Sequence, residues 1–374
     1  MRQSPHPDGA TQPRVWLVLG DKRGDNAQVY PIEKALGWAC EHKVLQMREP
    51  YVLGKPRVEA SLHHIDPERS DPLEPPWPDL VITVGRRPSM AAMWIREQAQ
   101  GRTKIVLIGK PSTRLETFDL IIPSGENQLP PLDNVLPIAL PLMQVNESAV
   151  ASAVETWRPR FADLPRPLIA FLVGGPTGPF VFDAKAVNRL IEAVAKVAAE
   201  GGTPYVTTSR RTPPAVVGAL KAGLPSAGRL FEWTADATEN PYHALLGLAD
   251  GFVVTGDSIS MIVEVARIGK ALQIFELPTG RLGALDQTRR SLTRLLFSPA
   301  AEPGQETFRH RLARALYRSG LIAQTRDFRA FYRMLIDRGL ASAAGEGLRP
   351  PRGQVPDDLA LVVTRIKALM ERHC

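Results

Sequence analysis

The feature that most constrains the fold of this chain is a repeated alternation of short β-branched apolar runs with stretches of helical periodicity. Such alternation predicts parallel strands joined by helices that cover both faces of a sheet. The predicted strands are residues 15–20, 43–47, 80–85, 104–109, 120–124 and 135–139, then, after Leu164-Pro165-Arg166-Pro167, residues 168–174, 205–209, 229–233, 251–255 and 271–275. The predicted helices between them include residues 30–41, 88–100, 184–199 and 260–268.

Two consecutive series of this kind predict an α/β protein with two doubly wound Rossmann-like domains that face each other across a cleft. Residues 15–150 form the predicted first domain, and residues 165–340 form the second, with a linker near 141–164. A polar, proline-rich leader is expected at 1–14, and a linker with a C-terminal helix at 341–374. In open α/β sheets ligands bind at the carboxyl ends of the strands, so the chemistry is expected in the loops at that edge.

Composition excludes several classes of protein. Hydrophobic residues make up 44% of the chain and charged residues 23%, as in ordinary globular proteins. No apolar run reaches the roughly 18 residues that a membrane-spanning helix needs, and the first residues lack the apolar core of a secretory signal. The two cysteines, Cys40 and Cys374, have neither disulfide nor metal-ligand spacing, so a cytoplasmic setting is expected.

The positive charge of the chain is concentrated in one helical segment. Residues 281–338 hold twelve arginines, no lysine and five acidic residues, which accounts for the whole net charge of +7. Such a segment is expected either to meet anionic lipid or an acidic acceptor, at the inner face of a membrane, or to be a solvated helical surface. Nucleic acid is not expected as a partner, because no binding motif or interleaved aromatic pattern accompanies the charge.

The first candidate site follows the predicted strand 251–255. Its polar members are Asp257, Ser258, Ser260 and Glu264. A strand, a small-residue turn and a helix N-terminus offer backbone N–H groups to an anion, and Glu264 lies one helical turn beyond Ser260 on the same face. That carboxylate can accept hydrogen bonds from a ribose diol. The alternative is a capped helix with Glu264 in solvent.

Two further loops are predicted at the same sheet edge. Gly174-Gly175-Pro176-Thr177-Gly178 ends the first strand of the second half, and its glycines allow the backbone to approach a diphosphate closely. Ser209, Arg210 and Arg211 end the next strand, where an arginine can hold phosphate charge. The alternatives are a tight strand-to-helix turn for the first loop and surface arginines for the second.

The first half has a comparable polar loop after its first strand. Its candidate members are Gly24, Asp25, Asn26 and Gln28, and Arg86 follows the third predicted strand. Asp25 is the candidate general base, although turn formation and helix capping explain Asp25 and Asn26 equally well. We expect these residues on the acceptor side of the cleft.

The stretch from Ala249 through Glu264 to Ala271 resembles the donor-binding segment of glycosyltransferases of GT-B architecture. That resemblance implies that Glu264 holds the ribose of a nucleotide-sugar donor and that the glycine loop holds its diphosphate. In the first half this chain departs from the resemblance, because Gln28 stands where those enzymes have a histidine.

Most of the chain, roughly residues 15–340, is similar to the mitochondrial-fission "elongated mitochondria" family. The resembling pieces are Gly24-Asp25-Asn26-Ala27-Gln28, Gly85-Arg86-Arg87, Phe118-Asp119-Leu120-Ile121, Gly174-Gly175-Pro176, Thr208-Ser209-Arg210-Arg211-Thr212-Pro213, Asn240-Pro241-Tyr242 and residues 257–264. The family has bacterial members regarded as glycosyltransferases and a plant member implicated in recruiting a dynamin-like protein. The resemblance therefore implies the fold directly and leaves two classes of function open.

Taken together, these residues favour a metal-independent glycosyltransferase with a nucleotide-sugar as co-substrate and no other cofactor. The acceptor is unidentified, and a membrane-borne one is considered because of the arginine excess. The alternatives are a non-catalytic recruitment scaffold, which the missing histidine favours, and a nucleotide-sugar epimerase, which needs no acceptor.

Overall fold

Residues 12–53, 56–280, 283–297, 307–319, 321–322, 325–343 and 345–371 are described by a computed structural model of the chain. Most of the predicted leader at 1–14 and the cysteine at position 374 therefore lie outside the described residues. The strands are β1 Val15–Leu19, β2 Cys40–Val44, β3 Leu80–Val84, β4 Lys104–Ile108, β5 Leu120–Ile122, β6 Asn127–Gln128, β7 Leu168–Leu172, β8 Thr203–Thr207, β9 Arg229–Phe231, β10 Gly251–Thr255, β11 Ala271–Phe275 and β12 Thr325–Arg326.

The helices alternate with these strands along most of the chain. They are α1 Arg23–Asn26, α2 Tyr30–Leu36, α3 Glu49–Leu53, α4 Arg86–Gln98, α5 Glu147–Phe161, α6 Ala184–Ala199, α7 Pro214–Gly223, α8 Tyr242–Leu248, α9 Ile259–Arg267, α10 Gly283–Phe297, α11 Phe308–Arg318, α12 Phe328–Asp337 and α13 Leu359–Glu371. No helix among the described residues is long and apolar enough to cross a membrane.

Two five-stranded parallel sheets form the centres of two units. The first sheet has the order β2-β1-β3-β4-β5 and the second has the order β11-β10-β7-β8-β9. The first order is the flavodoxin-like one and the second is the Rossmann order. In each sheet the order in which successive strands are added therefore reverses once, between β1 and β3 in the first sheet and between β7 and β10 in the second. The predicted fold class, α/β with two doubly wound Rossmann-like domains, is confirmed.

Strands β1 and β3, at the centre of the first sheet, are buried on both faces, as continuous apolar runs predict, whereas four of the five residues of the edge strand β2 are exposed or half-buried. Val15 and Leu17 pack on one face with α2, whereas Trp16 and Val18 pack on the other with α4. The side chains alternate between the two faces because successive residues of a strand point in opposite directions. This double burial fixes the carboxyl ends of β1 and β3, from which the polar loops begin.

The units are not two consecutive pieces of chain. The first contains Met1–Met143, Thr293–Arg326 and Pro356–Cys374, and the second contains Gln144–Leu292 and Asp327–Val355. Thr293–Arg326, which lies within the predicted second domain at 165–340, belongs to the first unit, and so does α13, which packs on the first sheet. Val362 and Ile366, on the apolar stripe that the sequence predicted, are fully buried there.

Several predicted elements need correction. The predicted strand 135–139 is wrong, since only isolated bridges at Val135 and Ile138 are present. The predicted linker at 141–164 contains α5, whose first turn is capped by Asn146 through the backbone N–H of Ala149 at 3.0 Å. Helix α2 ends at Leu36 rather than at residue 41, because Gly37 takes a left-handed conformation with φ 67°. The second strand accordingly begins earlier than predicted.

Candidate functional site

The loops after β7 and β10 lie side by side at the point where the strand order of the second sheet reverses. In open α/β sheets, ligands bind at the point where the strand order reverses. Two backbone N–H groups of the first loop bond to the second: Gly174 donates to Thr255 Oγ1 at 2.8 Å, and Gly175 donates to Asp257 Oδ2 at 2.9 Å. We call these two loops, with residues 209–212 after β8, the switch-point loops.

The glycines of the first switch-point loop are required by space. A Cβ on Gly174 would lie 2.2 Å from Asp257 Oδ2, and a Cβ on Gly175 would lie 1.9 Å from the carbonyl oxygen of Arg211. Gly178 is different, since nothing lies within 4 Å of an added Cβ there. The first two glycines therefore let the three loops approach one another, whereas the predicted approach of this backbone to a diphosphate stays a prediction.

Asp257 is the buried charge at the centre of these loops. Its Oδ2 lies 3.0 Å from Arg211 Nη2, while its Oδ1 is buried and has no hydrogen-bond partner in the described part of the chain. Burial raises the pKa of this carboxyl group, against the Gly175 N–H, the Thr255 hydroxyl and the Arg211 charge, which lower it. The carboxylate thus accepts the Gly175 N–H and pairs with Arg211 within the protein.

The arginines after β8 differ in their surroundings. Arg211 also donates to Thr177 Oγ1, which joins the glycine loop to the loop after β8. Arg210 is exposed to solvent. Ser209 is engaged locally, because its backbone N–H donates to Thr212 Oγ1 at 2.9 Å and its own oxygen accepts from the N–H of Arg211 at 3.3 Å.

Helix α9 begins at the switch-point loops. Ser258 is its buried N-cap residue, but its side chain makes no capping hydrogen bond, and Ser260 is half-buried in the first turn. Behind them the Tyr332 hydroxyl donates to the carbonyl oxygen of Gly256 at 2.6 Å, which fixes the turn. The N-terminus of α9 therefore keeps backbone N–H groups and two hydroxyls at the end of the sheet.

Glu264 lies one turn further along α9 and is half-buried. The hydroxyl of Tyr242, the first residue of α8, donates to Glu264 Oε2. Burial raises the pKa of Glu264, while the Tyr242 hydrogen bond and nearby His243 oppose that change. The contact holds one oxygen of the carboxylate, Oε2.

The first unit has a cavity of about 170 Å³ at the point where the strand order of its sheet reverses, between the loops after β1 and β3. The lining residues are Gly20, Asp21, Lys22, Asp25, Asn26, Val84, Gly85, Arg86, Arg87 and Pro88. Asp25 is half-buried in α1, and its Oδ2 lies 3.5 Å from the position of a Cβ on Gly85. Burial raises the pKa of Asp25, against the charges of Lys22, Arg326 and Arg87.

The other predicted residues of this loop have distinct places. Asn26 is buried and closes the loop, since its Nδ2 donates to the carbonyl oxygen of Gly20 at 2.8 Å and its Oδ1 accepts from the Gly20 N–H at 3.3 Å. Gly24 is exposed and Gln28 is half-buried. Arg86 Nη1 donates to the carbonyl oxygen of Pro56 at 3.1 Å. The structure thus brings Asp25 and Arg86 to one cavity and gives Asn26 a structural contact.

Sequence reasoning did not assign site roles to Tyr242, Thr255 or Arg326. Tyr242 reaches Glu264 only because α8 and α9 lie together, and Thr255 reaches Gly174 only through the pairing of β7 with β10. Arg326 is about three hundred positions from Asp25 and also lies 3.6 Å from buried Glu126. No local sequence signal marks such contacts, and the motif Asn240-Pro241-Tyr242 entered the sequence analysis only as part of the family resemblance.

The fold and the loops define a two-unit Rossmann-like protein with polar residues at the reversal point of each sheet. The chain belongs to the mitochondrial fission ELM1 family, whose model matches residues 23–319. This confirms the predicted family.

The individual relatives share less than a third of their aligned residues with this chain. The mitochondrial fission protein ELM1 of Arabidopsis thaliana is 28% identical over 219 residues, which are 53% of this chain and 51% of that protein. The chain therefore spans about half the length of this relative. An uncharacterized protein of Rickettsia prowazekii is 22% identical over 300 residues, 71% of this chain and 83% of its own. Among solved structures, S. aureus MnaA with UDP has a TM-score of 0.46 at 13% identity, covering 96% of this chain and 97% of that one.

Proposed function

We propose that this protein is a glycosyltransferase that takes a sugar from a nucleoside diphosphate donor without a metal ion. The observation that supports this most is the junction at the reversal point of the second sheet. There the N–H of Gly175, the guanidinium of Arg211 and the start of α9 lie around one buried carboxylate. Such groups suit a diphosphate leaving group, because preorganised donors stabilise developing negative charge.

In this proposal the donor binds entirely within the second unit. Glu264 accepts from the ribose hydroxyls through Oε1, while the glycine loop, Arg210, Ser258 and Ser260 hold the diphosphate. Asp257 is neutralised by Arg211 in the free protein. When a diphosphate binds, Arg211 is shared between the carboxylate and the phosphates, and the added negative charge raises the pKa of Asp257 in the same direction as its burial does.

The donor proposal predicts nucleotide binding that depends on Glu264. We expect UDP, GDP or another nucleoside diphosphate to bind measurably by titration calorimetry and to raise the melting temperature. Glu264→Gln keeps an acceptor for Tyr242 but removes the charge, and it should weaken binding by about 1–3 kcal/mol. Glu192→Gln, at an exposed position of α6 in the same unit, should leave nucleotide affinity unchanged. No binding of any nucleoside diphosphate at millimolar concentration would exclude the transferase proposal.

A second prediction concerns the pH dependence of that binding. Because burial raises the pKa of Glu264, its carboxylate is lost at a higher pH than that of an ordinary glutamate, and nucleotide affinity should fall as the pH falls through that pKa. Tyr242→Phe removes a hydrogen bond to the charged form, so the fall should begin at a still higher pH. Titrations across a pH series would measure this, with Glu264→Gln as the control for titration of the phosphates. An unchanged profile in Tyr242→Phe would contradict the proposed role of Glu264 Oε1.

The arginine-rich segment supports a further part of the proposal, that the protein meets an anionic membrane surface and finds its acceptor there. Residues 281–338 carry the whole net charge of the chain. We expect sedimentation with vesicles that contain phosphatidylserine at low salt, falling steeply as salt screens the arginines. Negligible binding to acidic and neutral vesicles alike would leave a solvated helical surface.

One observation favours a non-catalytic scaffold as the second candidate. The carboxylates of Asp257 and Glu264 are both already engaged within the protein, by Arg211 and by Tyr242. A scaffold that retained the fold would keep such internal contacts without a ligand. The calorimetric titration separates the two candidates, because only the transferase requires nucleotide binding.

A further inference from the structure

Helix α11 carries large apolar side chains on its solvent side, although its other side packs on the first unit. Ala313 is buried with Leu296 and Phe297 of α10. The exposed fractions of Phe308 and Leu321 are 77% and 75%, the highest of any large apolar side chain among the described residues. Phe308 is the first residue of α11, and Leu321 lies three residues beyond its last residue, Arg318.

The exposed residues of α11 follow helical spacing. Phe308, Arg311, Leu312, Ala315 and Arg318 are separated by three or four positions, which places them along one face. No acidic residue occurs in the helix. A merely solvated helix would present charged and polar groups here, whereas this face combines apolar side chains with cations. We call Phe308, Arg311, Leu312, Ala315, Arg318 and Leu321 the α11 face.

We propose that the α11 face inserts into an anionic lipid leaflet, with Phe308, Leu312 and Leu321 at the boundary between headgroups and acyl chains. Arg311 then meets the lipid phosphates. This proposal rests on the membrane contact proposed above and names the element that makes it. Amphipathic helices bind interfaces in this way when Phe or Leu faces the acyl chains and Arg faces the headgroups.

Charge complementarity favours an anionic lipid as the molecule that contacts the α11 face. Arg318, together with Arg314, lines a groove with Glu116, Asp119 and Asp133, so the charges on that side are partly opposed by carboxylates of the first unit. Arg311 does not line that groove and is exposed beside Leu312. An anionic leaflet offers both hydrocarbon for the apolar side chains and phosphate for this cation.

The C-terminal end of α10 supports the same surface. Leu296 and Phe297 pack against Ala313 of α11, while Leu295 is 62% exposed. The helix that packs against α11 therefore also leaves an apolar side chain exposed to solvent. The buried cluster holds α11 in place, so insertion needs no unfolding of the first unit.

The test compares vesicle sedimentation of the full chain with that of Phe308→Ser/Leu312→Ser. For the unmodified protein we expect binding to phosphatidylserine-containing vesicles that keeps a salt-resistant fraction, because insertion of apolar side chains is not screened by ions. The double variant should lose at least tenfold in affinity and all of the salt-resistant fraction. Arg311→Gln should weaken binding mainly at low salt. Leu361→Ser, an equally polar change at a 51% exposed position of α13, is the matched control and should bind normally.

Each outcome decides between the proposals. If the unmodified protein binds neither acidic nor neutral vesicles, the membrane contact itself is wrong. If it binds acidic vesicles and the double variant binds equally well, only insertion of the α11 face is wrong. Concentration-dependent dimers, seen by ultracentrifugation and abolished by the double variant, would make the α11 face a contact between copies of this chain and overturn the proposal. Unchanged melting temperatures confirm that these exposed substitutions leave the fold intact.

Discussion

Gly175→Ala is expected to destabilise the second unit by about 3 kcal/mol or more and to abolish nucleotide binding. The added methyl group would lie 1.9 Å from the carbonyl oxygen of Arg211, which is backbone and cannot rotate away. The loop would have to move and lose the hydrogen bond from Gly175 to Asp257. For a unit of this size the melting temperature should fall by about 6–12 °C, as measured by calorimetric unfolding.

Gly178→Ala provides the matched control for this prediction. It lies three residues along the same loop, it is exposed, and nothing is within 4 Å of its added Cβ. We expect a change of no more than about 0.5 kcal/mol in the free energy of unfolding. Equal stability of the two variants would mean that the close approach of the switch-point loops does not exist in solution.

Asp25→Asn is expected to lower turnover about a hundredfold or more, the usual contribution of a general base. The substitution keeps the size of the side chain and its ability to accept one hydrogen bond, but it removes the basic oxygen. Nucleotide binding should persist, because the residues proposed to hold the nucleotide lie in the second unit. Turnover would be measured with any donor and acceptor pair that the protein accepts, and nucleotide affinity by calorimetry.

The pH profile separates a base from a residue that only shapes the loop. Burial raises the pKa of Asp25, and a base must be unprotonated, so turnover should fall as the pH drops through that raised pKa. Turnover of the asparagine variant should not show this fall at low pH. Glu97→Gln, on the exposed side of α4 in the same unit, is the control for the loss of a carboxylate. Normal turnover in Asp25→Asn would make Asp25 a turn residue and would move the search for a base elsewhere.

The second half of the chain was predictable where local pattern and tertiary contacts agree. The strand at 251–255 and the helix after it were placed correctly because a buried parallel strand is a compact apolar run, with a small-residue turn at its end. The glycines at 174 and 175 followed from the same logic. Sequence pattern also favoured Glu264 as a residue on the same face as Ser260, and α9 provides that spacing.

The contacts that complete the site were not predictable. Asp257 was expected as a cap or a ligand residue, but its pairing with Arg211 depends on the loop after β8 reaching across β7. The hydrogen bond of Tyr242 to Glu264 depends on how α8 lies against α9. Residues 147–161 were assigned to a linker, whereas their packing against α8 stabilises a helix. Close packing is visible at Gly247, whose Cβ would meet Val154 at 2.3 Å.

The position of α13 has a consequence for how the protein is made. Val362 and Ile366 complete a core whose other members include Val15 and Leu17, so nearly the whole chain must leave the ribosome before that core closes. At about 5–20 residues per second, translation takes on the order of 20–70 s between β1 and α13. During that time one face of the first sheet has α2 but lacks α13, so the apolar surface that α13 covers is open to holding chaperones. The main part of the second unit, residues 144–292, emerges while its neighbour is still unfinished, and a nascent chain stalled before α13 should be far more sensitive to protease in its N-terminal part than the released protein.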